Sequence, residues 1–154
     1  MSNYISASLS IEDQKKALDL IAQLRTVFGF GIKLSGEQKK TMPKIDDTRL
    51  PFVEKGIQYG KQEPRIVPPY TDLDEYTKDL ELYKSMAAVE RELSSLTEMV
   101  VDSRTAAGSD AYQAALSIYS SAKGAVKMGI PGTQSMVDEM SKLFGGQGNF
   151  KAVK

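Results

Sequence analysis

The segment from Thr71 to Arg104 constrains the fold more than any other part of the chain. Its apolar residues recur at three- and four-residue spacing, the period of an α-helix. One row runs Leu73, Tyr76, Leu80, Tyr83 and Ala87, and a second runs Leu82, Met86, Val89, Leu93, Leu96 and Val100. The handover between rows gives the helix a broad apolar face, or a slow rotation against its neighbours. Thr71 and Asp72 open it, and the acids Asp72 to Glu75 complement the positive end of a helix dipole. Unbroken to Arg104, such a helix would be about 48 Å long at 1.5 Å per residue. It is the spine on which the other elements must pack.

Those elements are also helical. Ser10 caps a segment with Leu18, Ile21, Leu24 and Phe28 at helical spacing, closed by Gly29 and Gly31. Ser35-Gly-Glu-Gln38 can cap a short turn before Pro43 stops it. Asp46-Asp-Thr48 supplies N-cap candidates for a second main helix to about Gly60, with Pro51 in its first turn. Pro64, Pro68 and Pro69 then predict an extended connection. Ala107-Gly-Ser-Asp110 predicts the end of the long helix and the cap of another, carrying Tyr112, Ala115, Leu116, Tyr119, Ala122 and Val126. Small residues flank that stripe at Ala111, Ala114 and Ser117. Gly129-Ile-Pro-Gly132 predicts a turn, and Thr133 opens a short last helix with Met136, Val137, Met140, Leu143 and Phe144.

No strand-like alternation bounded by hairpin turns occurs. The expected fold is all-α: an up-and-down helical bundle of four main helices plus a short fifth C-terminal helix. At 154 residues the chain suits a single domain over 1–154, with residues 1–9 and 145–154 as flexible tails.

Composition then removes whole classes of chemistry. The chain has no Cys, His or Trp. Thiolate nucleophiles, disulfides, iron–sulfur clusters, Ser-His-Asp triads and the usual zinc and haem sites therefore have no ligands or bases to use. Di-iron bundles need Glu-x-x-His pairs and fail for the same reason. Twenty basic residues balance twenty acidic ones, without the net basic footprint of a nucleic-acid binder. The N-terminus lacks the basic and apolar regions of a signal peptide, and no run approaches a membrane span. The expectation is a cytoplasmic protein with no cofactor, no metal, no nucleic acid and no membrane contact.

Several segments look familiar as a set: Leu34-Ser-x-Glu37, Met42-Pro-Lys44, Phe52-Val-Glu-Lys55, Val67-Pro-Pro-Tyr70, Asp79-Leu-Glu-Leu-Tyr83, Ala107-Gly-Ser-Asp-Ala-Tyr112 and Gly129-Ile-Pro-Gly132. Together they resemble a family of small bacterial proteins of wholly helical build and no established activity. The resemblance implies a helical fold and a bacterial cytoplasmic origin, and carries over no catalytic residue.

Individual motifs reduce to local structure. Gly31-Ile-Lys-Leu-Ser-Gly36 has P-loop glycine spacing, but Glu37 and Gln38 stand where Lys and Ser or Thr must reach phosphate and magnesium. Asp72, Asp74, Glu75 and Asp79 lack the glycine and terminal Glu of a calcium loop. Glu90, Ser94 and Thr97 extend the first apolar row into polar territory, where they should face water. Gly145-Gly-Gln147 matches the tripeptide of polypeptide release factors, on three residues of a glycine-rich tail. Tyr76, Tyr83, Tyr112 and Tyr119 fall at core-stripe spacing, as amphipathic residues at a core edge.

No catalytic set emerges. The expected function is non-enzymatic, through protein–protein contacts with a partner or a homo-oligomer. The alternative is a small-molecule-binding protein with an apolar interhelical pocket. Lys44, Arg65 and Tyr70, around the Pro-rich connection, form the candidate polar docking surface.

Overall fold

The computed structural model describes residues 3–145, and among these the chain is all-α with no strand. The elements are α1 (Ile11–Val27), α2 (Gly36–Thr41), α3 (Leu50–Gln62), a 3-10 turn (Pro64–Ile66), α4 (Leu73–Lys127) and α5 (Thr133–Gly145). Each start has a local cause. The Ser10 hydroxyl accepts from Asp13 N–H at 3.0 Å, and Ser35 with Gln38 forms a reciprocal capping box. Asp72 Oδ1 accepts from the backbone N–H groups of Asp74 and Glu75 at 2.8 and 3.2 Å, which starts α4. Ahead of α3, the Asp46 carboxylate accepts from Thr48 and Arg49 N–H, shaping the turn that Pro51 continues into helix. The connection expected to be extended holds the one-turn 3-10 helix at Pro64–Ile66.

One sequence expectation needs correction: α4 is a single helix of 55 residues that runs through Ala107-Gly-Ser-Asp110 without a break. One glycine among Ala106, Ala107, Ala111 and Ala114 costs a helix only about 1 kcal/mol relative to alanine. Asp110 does not cap its own helix, because its Oδ2 accepts from Tyr4 and Ile5 N–H at 2.9 and 3.1 Å. The same bonds tie down part of the predicted N-terminal tail. The predicted third and fourth helices are therefore one, and α2 is an additional short element.

The described residues divide into two compact units, 8–96 and 3–7 with 97–145. The buried apolar side chains among the described residues are Ile57 and Leu80, 9% and 8% exposed, and both belong to the 8–96 unit. The predicted C-terminal tail beyond Gly145 lies outside the described residues, as does most of the Gly-Gly-Gln tripeptide.

In the 8–96 unit, α3 runs antiparallel to the start of α4. Glu54 pairs with Lys84 toward one end, while Gly60 abuts Leu73 at the other. Gly56 and Gly60 lie one turn apart and let the helices close up. A Cβ on Gly60 would fall 2.9 Å from Leu73 Cδ2, and one on Gly56 2.6 Å from Tyr76 Oη. Tyr76 and Tyr83 sit half-buried at this edge, their hydroxyls donating to the Val53 and Ile45 carbonyls at 3.0 and 3.4 Å.

In the second unit, residues 4 and 5 meet α4 at Asp110, which is half-buried, as are Ala106 and Gln113 on the same helix. The turn after α4 uses Gly129 (φ 70°) and Gly132 (φ 81°), left-handed conformations that favour glycine. Val137 and Met140 are half-buried on α5.

Candidate interaction surface

The two apolar rows of α4 lie on opposite sides of the helix, since at 100° per residue Leu80 and Leu82 point about 160° apart. The first row, with Tyr76, Leu80 and Tyr83, is the face that α3 covers. The second is largely uncovered. Within the 8–96 unit, Leu82, Leu93 and Leu96 are 46%, 39% and 51% exposed, and Met86 is exposed beside them. Glu90, Ser94 and Thr97 are exposed, as expected, so no buried carboxylate arises there.

This row has a period of its own. Leu82, Met86, Val89, Leu93 and Leu96 are spaced by four, three, four and three residues, a 3.5-residue repeat. That spacing matches a heptad repeat, in which Met86 and Leu93 would fall at a positions and Leu82, Val89 and Leu96 at d. Glu90 and Glu92 occupy the flanking e and g positions. The alternating step was legible in the sequence as the second row, and only its exposure needed the structure.

α1 approaches the same face at one place. Ile21, Leu24 and Phe28 line an apolar groove with Ile32 and Leu93, rimmed by Arg25 and Lys33. Phe28 and Phe30 stack edge to face with centroids 6.2 Å apart at the end of α1. Every residue of α1 is exposed, and Leu18 on its stripe is 59% exposed. On a helical wheel its apolar side chains, from Val27 through Leu24 and Ile21 to Leu18, spread over about 180°, more than the roughly 100° stripe that one neighbour covers. A helix of this length depends on tertiary packing for most of its stability.

The groove encloses about 440 Å3, is open to solvent, and has a mostly apolar lining. That volume suits a ligand, but an enclosing site buries most of its ligand's surface and this one does not.

The polar docking surface expected from sequence is placed as follows. Lys44 is exposed ahead of α3, its backbone carbonyl accepting from Arg49 Nη1 at 3.3 Å. Arg65 follows the end of α3 and is clasped by its near neighbour Glu63, which accepts from Nε at 2.7 Å and Nη2 at 2.5 Å. Tyr70 is 90% exposed. The length of α3, about 20 Å, stands between Lys44 and Arg65, and no hydrogen bond or ion pair joins the three residues. The Glu63–Arg65 clasp holds the Glu63 carboxyl below its usual range and raises the Arg65 guanidinium. A cation already matched in this way is a weak recruiter of acidic partners.

Among the described residues no polar or charged residue is buried, no cluster of acids could hold a metal, and no helix is long and apolar enough to cross a membrane. Comparison with protein-family models, curated proteins and solved structures finds no match to this chain.

Proposed function

We propose that this protein works by protein–protein contact, as a non-enzymatic helical scaffold whose long helix offers a coiled-coil seam. The observation that carries this reading is the exposed row Leu82, Met86, Leu93 and Leu96, opposite the face that α3 covers. Exposed leucines occur singly on many surfaces, but a periodic row on a rigid helix marks a face shaped for another helix. The resemblance of the segments from Leu34 to Gly132 supports a bacterial cytoplasmic setting for such a scaffold, and the absence of cysteine is compatible with it.

Native mass spectrometry of the protein purified gently from its own host tests the reading. An assembly of this chain, or a copurifying polypeptide, is the expected result. A monomer carrying a reproducible small-mass adduct would replace it with the small-molecule reading, seated in the groove between α1 and Leu93.

A further inference from the structure

We draw no further inference here: the strongest candidate, the exposed apolar row of α4 from Leu82 to Leu96 with the groove that α1 forms beside Leu93, carries nothing beyond the protein-contact reading, because nothing in the structure shows what covers it.

Discussion

Gly56 of α3 faces Tyr76 of α4 so closely that a Cβ at residue 56 would stand 2.6 Å from the phenolic oxygen. That oxygen is anchored, donating to the Val53 carbonyl at 3.0 Å, so it cannot swing aside without losing its partner. Gly56→Ala improves helix propensity by about 1 kcal/mol, but the clash and the lost hydrogen bond together cost about 2–3 kcal/mol. The expected outcome is a net loss of about 1–2 kcal/mol in urea denaturation. In a Tyr76→Phe background the same substitution should cost less, because the obstructing hydroxyl is gone. Equal costs in both backgrounds would show that the two residues do not meet.

The continuity of α4 has its own test. Gly108 has open space around a built Cβ and an ordinary helical backbone, whereas Gly129 sits at φ 70°. Gly108→Ala should therefore stabilise the protein by up to about 1 kcal/mol. Gly129→Ala should destabilise it by about 1 kcal/mol. A helix that broke at Gly108 would give the opposite sign there, so thermal melts of the two variants decide the point.

Asp110 holds the N-terminal segment through two backbone bonds from Tyr4 and Ile5, and its other carboxylate oxygen, Oδ1, is buried without a partner. Asp110→Ala removes both acceptors while leaving a good helix former in α4. Hydrogen exchange at the Tyr4 and Ile5 amides should accelerate toward the random-coil rate, with the exchange of α3 amides unchanged. Protection of residues 4 and 5 that survives the substitution would contradict the tether.

Two exposed carboxylates give a pH signature. The Thr48 hydroxyl, more than the Arg49 N–H and charge, holds Asp46 below its ordinary range, and the Arg65 side chain does the same for Glu63. In each case the folded value lies below the unfolded one. Their contribution is thus complete above the ordinary carboxylate range, about pH 4–5, and is lost as pH falls through the folded value. Carboxyl NMR titration should place both midpoints below those of free side chains, and Glu63→Gln should abolish the low-pH response of the Arg65 Nε–H signal. Because both groups are exposed, global stability should change little across the same range.

How much of this was legible in the residues depends on how local the cause is. Ser10, Ser35 and Asp72 act on N–H groups two or three residues away, so the starts of α1, α2 and α4 follow from spacing. The Gly129–Gly132 turn follows from the glycines and Pro131. The supposed break at Gly108 misled because Asp110 looked like a cap, and nothing nearby in sequence shows that its carboxylate is already taken by Tyr4 and Ile5. Lys44, Arg65 and Tyr70 looked like neighbours along the chain, but α3 lies between Lys44 and the other two. The interaction face was half legible: the row from Leu82 to Leu96 can be read directly, but its exposure cannot.

The sequence by itself determined that the chain is helical, where most helices begin and end, and which chemistries lack their residues, because capping, periodicity and composition act locally or not at all. Tertiary structure decided which of the two apolar rows of α4 is covered. Gly56 and Gly60 admit α3 against Tyr76 and Leu73, while no described element buries the row at Leu82, Leu93 and Leu96. Both rows carry the same hydrophobic drive, which is non-directional, and only the geometry of approach selects between them.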